Sequence, residues 1–287
     1  RRIANPLERL VANVEMIRNL SDQPITPLPN TSIRELNKLS NAVETLNAVI
    51  RSFASFVPVS LVRQLLQADQ KLEIGGGSRF LTIFFSDIAG FSALSEKIPA
   101  NELVRRISDY LTIVTKAVNQ ESGTIDKFIG DGVMAFWGAP ITIEDHARRA
   151  CFAALRVQRD IDTLNSSLTS SGGAPLNVRI GIHSDAVIVG NIGSTERLSY
   201  TVLGDGVNVA ARLEAINKTY GTCICISQTV YREAGDSLCV RPIGDVQLKG
   251  RRSRIVIYEL MGAFGAEIEL EPSDAVMRLA ELSRQAF

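Results

Sequence analysis

Histidine and cysteine are scarce in this chain, and their spacing excludes the usual zinc sites. Its 287 residues include only His146 and His183 and four cysteines, too few and too scattered to complete a tetrahedral ligand set. Cys223 and Cys225 alternate within an apolar stretch, which predicts two thiols on one face of a strand. We interpret all four cysteines as buried free thiols of a protein in a reducing, cytosolic compartment.

The sequence also lacks an excess of charge and a long apolar run. Its 31 Lys and Arg balance 31 Asp and Glu, so nothing favours binding to nucleic acid. No apolar segment approaches the ~18 residues that a membrane span requires. The phosphate-binding pattern of P-loop enzymes, Gly-x4-Gly-Lys-Ser/Thr, is absent as well. What remains is a folded chain whose length predicts about two domains.

Residues 1–57 have the apolar spacing of short coiled coils, with a proline-rich interruption. Pro24, Pro27 and Pro29 exclude one continuous helix. Two helices of about three turns are marginal alone, so we expect a parallel dimer that forms a four-helix bundle. Apolar residues recur every three or four positions at Ile3, Leu7, Leu10, Val14 and Ile17, and at Leu36, Leu39, Val43, Leu46, Ile50 and Phe53.

This helix–connector–helix pattern resembles a HAMP signal-relay domain, with a generic dimerisation coiled coil as the alternative. HAMP domains usually follow a membrane helix. The resemblance therefore implies a transmembrane sensor region upstream of Arg1, and places this fragment on the cytoplasmic side of an inner membrane. Residues 58–78, with a short amphipathic helix around 61–66 and then Gly75-Gly-Gly77, are expected to form a linker.

Residues 79–262 alternate between strand and helix patterns in the order βαββαβ. That order predicts an α/β (α+β) sandwich with a ferredoxin-like core and extra strands. Residues 263–287 form a tail with a helix from about Ser273. The core strands are expected at 80–85, 123–129, 133–137 and 176–183, the core helices at 101–120 and 147–164, the extra strands near 186–191, 197–202, 222–226, 238–248 and 254–260, and a further helix at about 206–218.

Two aspartates occupy positions that this topology brings together. Asp87 directly follows the first apolar strand, and Asp131 lies in the Gly130-Asp-Gly132 turn of the neighbouring hairpin. Mg²⁺ takes one or two carboxylates together with substrate phosphate oxygens. Taken alone, aspartates at strand ends and turns are also common structural devices.

Longer motifs around these aspartates resemble the class III nucleotidyl cyclase catalytic domain from about residue 78 to 261. The motifs, in order, are Phe84-Phe-Ser-Asp-Ile-Ala-Gly-Phe-Ser92, Asp126-Lys-Phe-Ile-Gly-Asp-Gly-Val-Met134, Val178-Arg-Ile-Gly-Ile-His183, Tyr200-Thr-Val-Leu-Gly-Asp-Gly-Val-Asn-Val-Ala-Ala-Arg-Leu-Glu214 and Leu248-Lys-Gly250.

The resemblance implies a site for two Mg²⁺ or Mn²⁺ ions and a nucleoside triphosphate. Asp87, Asp131 and the Ile88 carbonyl would hold the ions, while Arg179 and Lys249 would contact the triphosphate. The backbone of the turn after the first strand would approach the phosphates. That turn comprises Ala89, Gly90, Phe91 and Ser92.

The resemblance also identifies the residues that would stabilise the transition state and select the purine base. Asn208 would orient the ribose and Arg212 would stabilise charge at the α-phosphate. Lys127 and Thr201 occupy the base-selecting positions, and a lysine donor suits adenine N1, so ATP is the expected substrate. The alternatives are a guanylate cyclase and a catalytically silent regulatory pseudo-cyclase.

In the family, the sites form between two protomers arranged head to tail, so a homodimer is implied. The metal aspartates and Arg179 would come from one protomer, and the base, ribose and α-phosphate residues from the other. Two positions depart from the family pattern. Asp185 replaces a glycine at an expected turn, and Gly206 replaces a threonine or alanine at the start of a helix.

Overall fold

The structure is a computed structural model that describes residues 4–18, 26, 33–54, 75–194, 196–248, 254–265 and 270–286. The chain folds as two compact units, Arg1–Lys71 and Leu72–Phe287. Within the described ranges, no helix has the length and apolar character needed to cross a membrane.

Within its described residues the first unit contains the helices α1 (Ala4–Arg18) and α2 (Arg34–Ala54), as the apolar spacing predicts. The buried Asn13 of α1 donates to the carbonyl of Thr26 at 2.9 Å and accepts from its amide at 3.2 Å. These two bonds hold one connector residue against α1. The expected helix around 61–66 lies outside the described residues.

The apolar seams of these helices are only partly covered within one chain. Leu10 and Val43 are buried, which places them in the contact between the helices. Several other seam residues are about half exposed, namely Leu7, Val14, Leu39 and Leu46. Burying such a side chain fully stabilises a fold by about 1.5–3 kcal/mol. Because these side chains are only half buried in one copy, much of this stabilisation is available to a contact with another copy.

The first strand of the second unit begins at Gly75, four residues before the expected start of the catalytic domain at residue 79, because Gly75 already pairs with Asn191 of a neighbouring strand. Its elements in chain order are β1 (Gly75–Ile88), α3 (Phe91–Ser95), α4 (Ala100–Gln120), β2 (Thr124–Ile129), β3 (Gly132–Trp137), α5 (His146–Ser170), β4 (Val178–Gly193), β5 (Leu198–Leu203), α6 (Asp205–Tyr220), β6 (Ile224–Ser227), α7 (Gln228–Ala234), a 3-10 helix (Gly235–Ser237), β7 (Leu238–Gln247), β8 (Arg254–Ala263) and α8 (Asp274–Ala286).

These strands form one mixed sheet in the order β2-β3-β1-β4-β6-β8-β7, with β5 paired to β4. Neighbours from β2 to β4 are antiparallel, and β4 and β6 are parallel. The predicted βαββαβ connectivity is present: α4 connects β1 to β2, and α5 connects β3 to β4. The sheet thereby brings the end of β1 beside the β2–β3 turn.

Alternate residues of the central strands face two apolar layers. On one face α4 and α5 cover a core that includes the fully buried Tyr110 and Trp137. On the other face α6 contributes Val209 and Leu213. Gly181 of β4 permits this second layer, because a Cβ there would collide with the backbone of α6 at Ala210 and Glu214.

One expected turn is absent. The strands predicted at 176–183 and 186–191 are a single strand, β4, and Asp185 pairs in extended register with Leu81 of β1. The polar residues just before Asp185 have partners across the sheet. Ser184 Oγ lies 2.8 Å from Thr82 Oγ1, and His183 Nδ1 lies 2.8 Å from Ser227 Oγ.

The linker and cysteine predictions also need correction. Gly75-Gly-Gly77 belongs to β1, where it pairs with residues 189–191, and is not part of a linker ending at 78. Cys223 precedes β6 and is exposed, whereas the other three cysteines are buried. The two short helices α3 and α7 were not expected, and the helix predicted from about Ser273 is present as α8.

Candidate active site

Asp87 and Arg179 face each other at one end of the β1–β4 ladder. They are direct cross-strand partners, and Arg179 Nη2 donates to Asp87 Oδ2 at 3.2 Å. Both side chains keep some exposure to solvent, so they remain accessible to a ligand. The pairing therefore places the predicted metal ligand Asp87 and the predicted triphosphate-binding residue Arg179 on one surface.

Glu214 of α6 is a third member of this group that sequence reasoning did not identify. Its Oε1 lies 3.0 Å from Arg179 Nε, at an angle outside the hydrogen-bond range, so the contact is an ion pair. Burial raises the pKa of Glu214 to about 7, against the opposing charge of Arg179 and with a contribution from Asp87. The available signal was helical spacing, since Glu214 shares a helix face with the buried Ala210 and Asn217.

Asp131 lies in the turn between β2 and β3, and its carboxyl group meets that of Asp87. Burial, followed by the hydrogen bond and the charge repulsion from Asp87, raises the pKa of Asp131 to about 6. Two carboxyl groups in contact favour a shared proton or a bound cation. The convergence predicted from the topology is therefore observed.

The Asp87 and Asp131 carboxyl groups fit a divalent cation whose coordination is completed by other ligands. Carboxylate oxygens are hard donors, and Mg²⁺ is commonly held by one or two of them together with water and phosphate. In the part of the chain that the structure describes, no three His, Cys, Asp or Glu side chains form a metal-binding group. Ile88 ends β1 directly after Asp87, so its carbonyl lies at the same edge.

Lys127 and Thr201 form a second cluster, on β2 and β5. Lys127 Nζ donates to Thr201 Oγ1 at 3.2 Å. Thr201 Oγ1 in turn donates to Asp126 Oδ2 at 2.5 Å, and Lys127 Nζ lies 3.0 Å from Asp126 Oδ1. The two predicted base-selecting residues are thus neighbours within one chain, joined by an aspartate that was not predicted to act there.

Asn208 and Arg212 lie on α6 one turn apart, as their spacing predicts. Asn208 is exposed near the start of the helix. Arg212 Nη1 is buried and has no hydrogen-bond partner among the described residues. A buried guanidinium nitrogen without a partner is costly, which is consistent with a group that binds a ligand or another subunit.

The remaining predicted residues have a mixed outcome. In the turn after β1, the amide of Ala89 donates to the carbonyl of Asn177 at 2.7 Å and so has a partner within the chain. Gly90 precedes α3 in a left-handed conformation, and Phe91 and Ser92 begin that helix. Lys249 lies outside the described residues.

A family model described as the adenylate and guanylate cyclase catalytic domain matches residues 78–262. The chain belongs to this family. Adenylate cyclase 1 of Rhizobium meliloti is 35% identical over 268 residues, which cover 92% of this chain and 40% of that protein. The chain thus spans less than half the length of this curated relative.

Solved cyclase structures of both base classes resemble the chain. The guanylyl cyclase Cya2 is 36% identical with a TM-score of 0.64, covering 70% of this chain and all of that one. The adenylyl cyclase CyaB from P. aeruginosa is 34% identical with a TM-score of 0.61, covering 65% and 96%. Overall similarity to these cyclases does not select a base, so that choice depends on residues of the site.

The two positions at which this cyclase domain departs from the family pattern contact each other. A Cβ added to Gly206 would lie 2.6 Å from Asp185 Cβ and 3.0 Å from Asp185 Oδ2. Asp185 Oδ1 also accepts from the amide of Ala186 at 2.8 Å. The aspartate therefore occupies the space that a side chain at 206 would need, so glycine at 206 fits beside aspartate at 185.

Proposed function

We propose that the chain is an adenylate cyclase that converts ATP to 3′,5′-cyclic AMP and pyrophosphate. The observation that carries the proposal is the Lys127–Thr201 pair, whose ammonium and hydroxyl groups lie 3.2 Å apart within a cyclase domain. The ammonium can donate only, which suits adenine N1 and not the N1–H of guanine. The adenylate cyclase of Rhizobium meliloti supports the same assignment.

In the reaction, the ribose 3′ oxygen bonds to the α-phosphorus while the bond from that phosphorus to the pyrophosphate oxygen breaks. The 3′ hydroxyl proton passes to solvent. Asp87 and Asp131, with the Ile88 carbonyl, would hold two Mg²⁺ or Mn²⁺ ions, because their carboxyl groups meet at one edge of the sheet. Bound divalent ions favour loss of the 3′ proton and neutralise charge on the phosphates.

The chain's own cations would complete the phosphate site. Arg179 is held by Asp87 and Glu214, so it is positioned before the triphosphate arrives. Arg212 would stabilise charge at the α-phosphate, and Asn208 would orient the ribose. Preorganised donors of this kind lower the barrier because they need not reorganise during the reaction.

The proposal includes a head-to-tail homodimer with composite sites. Phe128 and Ile129, next to the β2–β3 turn that bears Asp131, are 51% and 52% exposed, and Leu203 of β5 is 50% exposed. These apolar side chains at the site edge suit a subunit interface. The Nη1 of Arg212, which has no hydrogen-bond partner in the described part of the chain, would then be satisfied in the site of the other protomer.

Residues 1–57 would act as a HAMP-type regulator of this dimer. The half-exposed seam residues Leu7, Val14, Leu39 and Leu46 support a four-helix bundle made by two copies. The signal would come from an upstream sensor region attached to the inner membrane. Disulfide crosslinking of α2 in different registers tests this role, and equal activity in every register would exclude it.

The first experiment is a product assay with ATP and with GTP separately, each with Mn²⁺ and with micromolar protein to favour dimers. Cyclic AMP from ATP is the expected result, with little cyclic GMP. A preference for GTP would support the second candidate, a guanylate cyclase, which is the base class of the similar structure Cya2. No product from a dimeric chain would instead support a catalytically silent pseudo-cyclase.

A further inference from the structure

Asp126 has an unusual position for an acidic residue of a strand. The register of β2 against β3 shifts between Ile125 and Lys127, which marks a β-bulge at Asp126. Bulges re-aim side chains and are frequent beside active sites. Here the bulge lets consecutive side chains, Asp126 and Lys127, reach the same Thr201 hydroxyl.

The Asp126 carboxylate is 1% exposed, whereas the neighbouring Lys127 side chain is 45% exposed. Burying a carboxylate is costly unless it is paired. Among the residues that the structure describes, the partners of this one belong to the base-selecting cluster: Oδ2 accepts from the Thr201 hydroxyl, and the Lys127 ammonium lies 3.0 Å from Oδ1 as an ion pair outside hydrogen-bond geometry. Its burial therefore depends on these two residues.

Asp126 determines which hydrogen bonds Thr201 can still form with a ligand. A hydroxyl has one proton to donate and two lone pairs to accept with. A carboxylate can only accept, and Thr201 Oγ1 donates its single proton to Asp126 Oδ2 at 2.5 Å. Lys127 occupies one lone pair at 3.2 Å. One acceptor position on Thr201 Oγ1 remains for a ligand, and no donor.

A Thr201 hydroxyl that can accept a hydrogen bond from a ligand, but cannot donate one, distinguishes adenine from guanine. Adenine carries an amino group at C6, which donates, whereas guanine carries a carbonyl there, which only accepts. A threonine whose proton were unconstrained could rotate and serve either base. The carboxylate removes that freedom.

We propose that Asp126 is a positioning residue for base selection, fixing Thr201 as an acceptor and steadying Lys127 so that ATP is favoured over GTP. The proposal rests on the proposed cyclase function. It assigns selectivity to three residues instead of the Lys127–Thr201 pair alone.

The test is Asp126→Asn, measured as the ratio of kcat/KM for ATP to that for GTP. An amide can turn its carbonyl to Lys127 and its NH₂ to Thr201, which frees the threonine proton to donate to guanine. We expect the ratio to fall about tenfold or more. Asp145→Asn, at an exposed ion pair with Arg149, is the matched control and should leave the ratio unchanged.

A double-variant comparison shows whether Asp126 acts through the hydroxyl. Thr201→Val alone should lower the ratio about as far as Asp126→Asn, and Asp126→Asn added to Thr201→Val should change it little further. An unchanged ratio in Thr201→Val overturns the proposal even if Asp126→Asn does not fold. The proposal would also be overturned if Asp126→Asn lowered the ratio by the same factor in the wild type and in the Thr201→Val background.

Binding separates this inference from the proposed function. 3′-Deoxy-ATP and 3′-deoxy-GTP lack the reacting hydroxyl, so the ratio of their dissociation constants can be measured without turnover. If the wild-type chain yields no cyclic nucleotide, the proposed function fails while the binding ratio still tests Asp126. A ratio that falls in Asp126→Asn supports the inference, and a ratio that does not change overturns it.

Discussion

The contact between Asp185 and Gly206 predicts that the effect of Gly206→Ala on stability depends on the residue at position 185. In Gly206→Ala the new Cβ would lie 2.6 Å from Asp185 Cβ, about 1 Å inside an ordinary carbon–carbon contact. Asp185 Cβ is fixed to the backbone of β4, so it cannot rotate away. Overpacking of this kind costs about 1–3 kcal/mol, and replacing a helical glycine by alanine returns about 0.5–1 kcal/mol.

The expected net loss is about 0–2.5 kcal/mol, which lowers Tm by up to about 10 °C for a domain of this size. In an Asp185→Gly background the collision is absent, and the same Gly206→Ala change should raise Tm slightly through helix propensity alone. Thermal denaturation followed by circular dichroism on the four proteins gives the coupling free energy, expected at about 1–3 kcal/mol.

Asp185→Ala is the matched control, because it removes the carboxylate but keeps the Cβ. The Gly206→Ala penalty should therefore persist in that background and disappear only with glycine at 185. If the penalty is the same in all three backgrounds, the steric explanation is wrong and the two departures from the family pattern are independent.

Three further predictions concern the active site. Mn²⁺ at ten times its dissociation constant should raise Tm of the wild type by about 3–6 °C in a thermal shift assay, and Asp131→Asn should abolish most of this shift because it removes one of the two converging carboxylates. The pKa of Glu214 is raised from 4.5 to about 7, so its stabilising contribution is complete below pH 4.5 and is lost as pH rises to 7. Glu214→Gln does not titrate and should gain Tm relative to wild type across that window, without divalent metal. Finally, Asp131→Ala and Arg212→Ala should each be inactive, whereas an equal mixture should recover about a quarter of wild-type cyclase activity, since half of the dimers would carry one intact site.

Each of these has a contrary outcome. An equal Mn²⁺ shift in Asp131→Asn would place the cation elsewhere. A Tm difference between Glu214→Gln and wild type that does not change between pH 4.5 and 7 would contradict the raised pKa. Failure of the mixed variants to recover activity, with subunit exchange demonstrated, would argue against composite sites.

The parts of the site that the sequence predicts correctly depend on topology and local spacing. The βαββ order brings the end of β1 beside the β2–β3 turn, so Asp87 and Asp131 had to approach each other. Asn208 and Arg212 share a helix face because four residues make about one turn. Whether these residues bind metal and nucleotide stays a prediction.

The parts that were missed depend on contacts between distant segments. Asp126 follows the alternation of its strand in sequence, and only the bulge and the approach of β5 bring it to Thr201. Glu214 acts with Arg179 because Gly181 lets α6 lie close to β4. No one-dimensional pattern contains either contact.

The β1–β4 ladder has a mechanical consequence. Every residue of β1 from Gly75 to Ile88 has a partner in β4, so the entry point of the catalytic unit and Asp87 are joined by one continuously paired strand. A slip by one residue would turn Asp87 to the opposite face of the sheet, and a stretch would break many hydrogen bonds at once. A force applied at Gly75 would therefore act along the whole length of the β1–β4 ladder. Under the proposed regulation, the input would alter how the two sheets of a dimer meet, and with them the two halves of each composite site.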